Sequence, residues 1–352
     1  MTYLQKMLKK VEAIRKKSIV NILAIESSCD ETSVAVVQNG RKVLSNIISS
    51  QIEIHRHFGG VVPEVASRNH ILNIIPLVEQ ALTSANLTYD DIDCIGVTQG
   101  AGLVGALLVG LTTAKALSYA LNKPLIAVNH IKGHIAANYL AFPDLVPPFM
   151  CLITSGGHTA IVKVDDYNTL TKIGSTQDDA IGEAFDKVAR ILGLEYPGGA
   201  KIDKISQNVE PTIKFTHQDS LLNSYDISYS GLKTAVINYV HKLEQNSQFV
   251  DVPQIAASFQ HQAVTMIAEK TVRACVEFGQ NKLVLAGGVA ANSYLRKTLT
   301  NMCKEKEIKL YFPPMEFCTD NAAMIGSVAY YQMLKEPPAD LDISALASIE
   351  IK

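Results

Sequence analysis

The stretch Asn21-Ile22-Leu23-Ala24-Ile25-Glu26-Ser27-Ser28-Cys29-Asp30-Glu31-Thr32-Ser33-Val34-Ala35-Val36-Val37 decides the fold. Asn21 to Glu26 is an apolar run of strand length, Ser27 to Glu31 is a polar turn, and Thr32 to Val37 reads as the returning strand. Asn39-Gly40 is a hairpin signal, and Lys42 to Ile48 supplies a third strand. The plan then repeats. Pro147 to Thr154 is apolar, Ser155-Gly156-Gly157 turns, His158 to Val164 returns, Asp165 to Asn168 turns again, and Thr169 to Ile173 is the third strand.

Each opening is followed by helices and single strands. In the first half a helix starts at Pro63, with Ile71, Ile74, Ile75, Val78 and Leu82 inward and a kink expected at Pro76. Strands at Cys94 to Val97 and Leu125 to Val128 flank a helix from Ala101 to Leu121. In the second half helical patterns cover Asp179 to Leu194, Gly231 to Gln245 and Pro253 to Phe278. They lead into strand Lys282 to Leu285, helix Ala291 to Glu305, strand Ile308 to Phe312 and a last helix from Asp320. Strands alternating with helices after each meander predict a duplicated α/β architecture. Two such units facing each other would make a cleft.

Composition sets the outer bounds. With 352 residues, 47% hydrophobic and 19% charged, the chain is globular and long enough for two lobes. A net charge of -2 gives no global sign of nucleic-acid binding, so any RNA contact must use a local patch. Cys29, Cys94, Cys151, Cys275, Cys303 and Cys318 show no paired spacing, which suggests a reducing cytosol. No uninterrupted apolar run reaches the ~18–20 residues that span a membrane; the longest candidate, Ala101 to Leu121, reads as a buried helix. Leu4, Met7, Leu8, Val11 and Ile14 follow helical spacing among lysines and arginines. They predict a basic amphipathic extension over residues 1–20, which we read as dispensable.

Three short segments carry chemistry. In Asn129-His130-Ile131-Lys132-Gly133-His134 the i,i+4 spacing puts both imidazoles on one helix face, near enough to share a metal ion. Ile131 stands where a zinc protease has its general-base Glu, so the pattern lacks the base that peptide hydrolysis needs. Alternatively, both histidines are merely satisfied by hydrogen bonds. At Ser155-Gly156-Gly157 two residues lack Cβ, so the backbone N–H groups can approach an anion closely; glycine pairs are also common in ordinary hairpins. Leu285-Ala286-Gly287-Gly288-Val289-Ala290-Ala291-Asn292 runs from a buried strand through two glycines into a helix, where a nucleotide could lie or strand and helix simply pack.

The duplicated meander resembles the actin, sugar kinase and Hsp70 ATPase superfamily (the ASKHA fold), which implies two lobes around a central nucleotide cleft. The resemblance narrows at Ile25 to Thr32, Gly59 to Arg68, Gly100 to Leu103, Asn129 to His134, Ser155 to Thr159, Asp178 to Lys187, Tyr196 to Gly199, Ala286 to Asn292 and Thr319 to Asn321. Together these segments are similar to the bacterial TsaD family, the tRNA N6-adenosine threonylcarbamoyltransferases once labelled glycoproteases. The likeness covers about residues 21 to 335. It implies His130, His134 and Asp320 as ligands of one divalent metal, with Fe(II) favoured and Zn(II) the alternative. It implies substrate binding by Ile153, Thr154, Ser155, Gly156, Gly157, Asp186, Gly199, Asp203 and Asn292, and catalytic roles for Asp30 and Glu31.

The implied reaction moves threonylcarbamoyl from threonylcarbamoyl-AMP to N6 of the adenosine 3′ to the anticodon, in tRNAs reading codons that begin with A. A TsaB-like paralogue and a TsaE-like ATPase are the implied partners, with Pro63 to Leu82 as their interface, a homodimer as the state without them, and no membrane. The setting expected is the cytoplasm. Arg56, Arg68, Lys132, Lys187, Arg190, Lys201 and Lys233 are candidates for tRNA phosphate contact. The expected division is an extension over 1–20, a lobe over 21–135, a second lobe over 136–318, a closing helix over 319–340 and a tail over 341–352. An ATP-dependent kinase or ATPase of the same superfamily is the competing reading, and a metalloprotease a weaker one.

Overall fold

The computed structural model describes residues 2–216, 221 and 223–350; Met1 of the extension and the last two positions of the tail lie outside them. In chain order, α1 (Tyr3–Ile14) precedes β1 (Asn21–Glu26), β2 (Glu31–Gln38) and β3 (Lys42–Ser50). Then come α2 (Ile52–Arg56), α3 (Pro63–Ser84), β4 (Cys94–Gly100), α4 (Val104–Leu121), β5 (Leu125–Asn129) and α5 (His130–Ala141). The second opening is β6 (Phe149–Thr154), β7 (Thr159–Val164) and β8 (Leu170–Ser175), followed by α6 (Ile181–Ile191), α7 (Gly198–Ile205), α8 (Ser230–Gln245) and α9 (Val252–Glu277). The chain continues through β9 (Lys282–Ala286), α10 (Ser293–Glu305), β10 (Lys309–Tyr311) and α11 (Ala322–Lys335).

The chain divides into two compact units. The first comprises Met1–Val146, Asp166–Thr169 and Thr319–Lys352, so extension, closing helix and tail all belong to it rather than standing apart, and the first lobe runs past the expected boundary at 135. Its sheet has the order β3-β2-β1-β4-β5, antiparallel through the meander and parallel from β1 through β4 to β5. Leu23, Ile25, Val34 and Val36 on one face pack with Ile74, Leu77 and Val78 of α3 and Leu111 and Ala114 of α4. The other face of β1 and β2 takes α11, where a Cβ on Gly326 would stand 2.7 Å from Val37. Covered on both faces, every β1 residue is buried, which is why Ile22 to Ile25 read as an unbroken apolar run.

The second unit, Pro147–Asp165 and Leu170–Cys318, repeats the plan. Its sheet order is β10-β9-β6-β7-β8, again a meander extended by two parallel strands on the side of its first strand. Its core gathers Met150, Leu152 and Ile161 with Phe185 of α6, Phe259 of α9, and Leu283 and Leu285 of β9.

Three expectations are corrected. In α3 the buried stripe is Ala66, His70, Ile74, Leu77, Val78, Ala81 and Leu82, whereas Ile71 and Ile75 are 62% and 49% exposed. Small and polar residues fill the inward turns, leaving the two isoleucines on the outer side with Leu72. Helix α4 is buried along Ala106, Leu107, Gly110, Leu111, Ala114 and Ser118 only, with Val104, Leu108 and Tyr119 exposed. By length and hydropathy alone it would also suffice to cross a membrane.

Nor is α1 a loose extension. Met7, Val11 and Ile14 are buried, Tyr3 Oη lies 2.5 Å from Ser118 Oγ, and Lys17 pairs with Asp93 at 2.5 Å. Its basic residues serve helix ends: Lys10 Nζ donates to the carbonyl of Asn122 at the end of α4, and Arg15 donates to those of Met333 and Glu336 at the end of α11. These carbonyls lack helical partners and carry partial negative charge, so cations there are favoured. Met7→Ala is expected to lower stability by about 2–5 kcal/mol, measured as a reduced urea midpoint with an unchanged slope.

Candidate functional site

Helix α5 begins where β5 ends. Asn129 caps it, its side-chain oxygen accepting the N–H of Ile131 at 2.8 Å. One turn on, Gly133 allows close approach of α11, since a Cβ there would stand 2.9 Å from Ile325 Cδ1. Asn321 caps α11 in the same way, accepting the N–H of Met324 at 3.1 Å. Asp320 is thereby held just ahead of the helix start.

The result is a compact cluster within the first unit. Asp320 Oδ1 lies 3.3 Å from His134 Nε2 and 3.5 Å from His130 Nε2, and the three donor atoms all fall within 4.8 Å of one another. A cation held ~2.0–2.2 Å from each donor requires adjacent donors to stand roughly 3.0–3.5 Å apart, so the residues fit a metal ion. Two imidazoles and one carboxylate suit Fe(II) and Zn(II) alike and leave coordination positions for substrate or water. The structure thus brings together the three ligands proposed from sequence.

Asp30 and Glu31 join this cluster at the start of β2. The Asp30 carbonyl accepts the N–H of Gln51, and Glu31 Oε1 accepts the Ser50 hydroxyl at 3.1 Å. Burial, then the nearby Asp320 and Asp30 carboxylates, push Glu31 up to about 9. Burial and the same two neighbours raise Cys29 far above the ordinary thiol range, so it offers no thiolate nucleophile.

Sequence reasoning gave no role to Glu26, which is fully buried at the end of β1. Its Oε2 lies 3.1 Å from His130 Nδ1 and accepts the Thr98 hydroxyl, while Oε1 accepts the Ser28 N–H at 2.5 Å. A lone acid closing an apolar strand was the available signal. Burial disfavours the His130 cation, but Asp320, Glu26 and Glu31 outweigh it and hold its pKa up at about 9.

This sets a pH dependence for the metal-free protein. A histidine raised from its ordinary value near 6.5 to about 9 contributes stability that is complete below pH 6.5 and lost as pH rises to 9. A carboxyl raised to about 9 acts in the same direction, from its ordinary value near 4.5 upward. A metal ion needs the unprotonated imidazole, so its binding tightens over the same interval. Chelator-treated protein is expected to melt at progressively lower temperature between pH 6.5 and 9, and protein saturated with Zn(II) to lose less.

The residues proposed for substrate gather in the second unit. Ile153 and Thr154 have fully buried side chains inside the sheet, so they support the loop and only Ser155 to Gly157 is presented. The Ser155 N–H donates to the His158 carbonyl, and the amides of Gly156 and Gly157 have no hydrogen-bond partner among the described residues. Asp186 of α6 accepts the N–H groups of Gly198 at 2.8 Å and Gly199 at 3.3 Å, capping α7. Burial raises its pKa despite those two bonds. Asp203 of α7 accepts the N–H and hydroxyl of Ser293, and Asn292 caps α10 while donating to Gln260 of α9 at 2.8 Å. These acids and the amide are cross-braces between helices as well as candidate contacts.

The basic candidates are mostly engaged. Lys187 lies 2.6 Å from Asp179 and 2.9 Å from Glu183, Lys233 pairs with the other Asp179 oxygen, and Lys201 and Arg56 face Glu195 and Glu53. Lys132 donates to the Asn168 carbonyl, and Arg68 and Arg190 are exposed.

Two sheets of one connectivity define the ASKHA class of α/β proteins, and solved structures agree on the fold. Full-length HypF in its phosphate- and nucleotide-bound form aligns with a TM-score of 0.63 over 91% of this chain and 47% of its own, at 16% identity. Component A of the Acidaminococcus fermentans (R)-2-hydroxyglutaryl-CoA dehydratase aligns at 0.52 over 90% of this chain and 100% of its own, at 13% identity.

Sequence likeness is closer. The family description "TsaD: tRNA N6-adenosine threonylcarbamoyltransferase" matches residues 42–327. A Clostridium botulinum (strain Kyoto / Type A2) tRNA N6-adenosine threonylcarbamoyltransferase is 56% identical over 95% of this chain and 99% of its own. That of Clostridium novyi (strain NT) is 53% identical over 94% and 98%. The chain belongs to the TsaD family, and it is an enzyme of the transferase class.

Proposed function

We propose that the protein transfers the threonylcarbamoyl group of threonylcarbamoyl-AMP to N6 of the adenosine 3′ to the anticodon, in tRNAs reading codons that begin with A. The observation that carries this reading is 56% identity to a threonylcarbamoyltransferase along 95% of the chain. The new bond joins N6 to the carbamoyl carbon, the bond from that carbon to the phosphate oxygen breaks, AMP leaves with the electron pair, and N6 gives up one proton. The donor is already an activated mixed anhydride, so the protein's task is orientation and charge stabilisation rather than supply of a nucleophile. The Gly156 and Gly157 amides would donate to the phosphate of the leaving AMP. Asp186, Gly199, Asp203 and Asn292 would bind the rest of the nucleotide. A target base in a single-stranded loop can be splayed out for reaction.

His130, His134 and Asp320 would hold one divalent ion, with Fe(II) favoured over Zn(II). Bound there, it supplies Lewis-acid stabilisation of oxygen charge. Asp30 and Glu31 beside it would position substrate or water. The exposed Ile71, Leu72 and Ile75 of α3 form an apolar stripe that we assign to a TsaB-like paralogue, with a TsaE-like ATPase completing the set and the cytoplasm as its setting. A homodimer over the same stripe is the state proposed without those partners.

The test is transfer of labelled threonylcarbamoyl from its adenylate to tRNA with an unmodified anticodon loop, both partners being present. Labelled tRNA with stoichiometric AMP is expected. Turnover of ATP without tRNA labelling would favour the superfamily's kinase and ATPase chemistry instead.

A further inference from the structure

We infer that Glu26 is the positioning residue of the metal centre, accepting the Nδ1–H of His130 so that Nε2 is the atom left to bind metal. This rests on the metal reading above and adds a residue that neither the motif nor the family resemblance assigns.

A neutral imidazole carries one proton, and only the other nitrogen can ligate. His130 Nδ1 has two oxygen neighbours, Glu26 Oε2 at 3.1 Å and Ser28 Oγ at 3.2 Å. A hydroxyl can donate to Nδ1, which would move the proton to Nε2 and close the ligand position. An ionised carboxylate only accepts, so Glu26 selects the tautomer that faces Asp320 with a lone pair.

A fully buried carboxylate must have its oxygens satisfied. The Glu26 oxygens are fixed from two directions, by the Ser28 N–H in the turn after β1 and by the Thr98 hydroxyl on neighbouring β4. With those donors in place, His130 is the third partner and its ring is held at the angle the sheet dictates. His134 has no equivalent support, because its buried Nδ1 lacks a partner among the described residues. Of the two rings, His130 is therefore the one braced from behind by a carboxylate, and metal-bound histidines draw affinity from such support.

The experiment titrates metal-free wild type, Glu26→Gln, Ser28→Ala and Thr98→Val with Zn(II) against a competing chelator. It also records Co(II) absorption and the melting curve of each metal-free protein. Glu26→Gln keeps the shape of the side chain and is expected to weaken Zn(II) about 10–100-fold, with an altered Co(II) spectrum. Thr98→Val keeps the carboxylate but frees one anchor, for a loss of about two- to tenfold. Ser28→Ala is expected to bind within about twofold of wild type, since a neutral hydroxyl does not set the tautomer. Equal affinity in Glu26→Gln and wild type overturns the inference, as does a loss confined to Ser28→Ala. If Glu26→Gln does not fold, unchanged affinity and spectrum in Thr98→Val overturn it. Failure of wild type itself to bind any of the ions would instead remove the metal reading.

Discussion

His134→Ala is expected to purify folded, to hold less than about a tenth of the wild-type metal, and to transfer threonylcarbamoyl at least ~100-fold more slowly, a loss of about 2.7 kcal/mol in transition-state stabilisation. The substitution leaves His130 and Asp320 as a two-donor site, too few to hold a labile divalent ion against buffer and water. The fold should survive, because α5 and α11 are held by apolar residues around the site, among them Ile131, Ile135, Met324 and Ile325, all buried. Metal analysis, a melting curve and the tRNA transfer assay on one preparation decide the matter. Retained metal with lost transfer would point to His134 acting on substrate directly, and full transfer would remove it from the reaction.

Gly287→Ala should be strongly damaging to the second unit. Gly287 has φ +90°, a conformation that costs other residues about 1–3 kcal/mol. The added Cβ would also stand 2.5 Å from the Thr154 carbonyl oxygen and 2.8 Å from its carbon. Those are backbone atoms of a strand paired on both sides, with β7 and β9, and cannot turn aside as a side-chain tip could. Relief has to come by shifting Thr154, and Ser155 to Gly157 with it. The expected result is a fall in urea midpoint accompanied by weaker binding of AMP, read by calorimetry. A stable variant with wild-type AMP affinity would detach this junction from the nucleotide.

Much of this was legible in the sequence, for reasons that also mark where legibility stopped. The two meanders announced themselves because β1, β2, β6 and β7 are almost wholly buried and so carry runs of apolar residues such as Ile22 to Ile25 and Val34 to Val37. The helical reading of His130 to His134 needed only local spacing. By contrast, α7 escaped notice: it is short, opens on Gly198-Gly199 and has no cap in its own sequence, since Asp186 reaches across from α6 to serve it. Asp203 serves α10 likewise, so motif residues expected only at substrate also have a bracing role that spacing could not reveal. On α3, Ile74, Val78 and Leu82 face inward as read, but Ile71 and Ile75 were misplaced because composition marks isoleucines as core, whereas the wall they would enter is filled by Ala66, His70 and Ala81. Glu26 gave too little signal, since the partner that gives it meaning lies about a hundred positions away and only folding brings them together.

The second unit is nested within the first along the chain, and this bears on how the protein is made. At the ribosome, where domains generally fold as they emerge at about 5–20 residues per second, the unit begun first is finished last. Residues through Val146 are synthesised early, but α11 follows the whole second unit. Until then the β1 and β2 face that receives Ala322 to Ala329 stays uncovered, and His130 and His134 wait on an acid some 190 positions downstream. The nascent chain therefore has a complete second unit before it has a complete metal site. Capture of the ion then becomes a late event that only a nearly full-length chain can reach, and truncated products are excluded from it by their length alone.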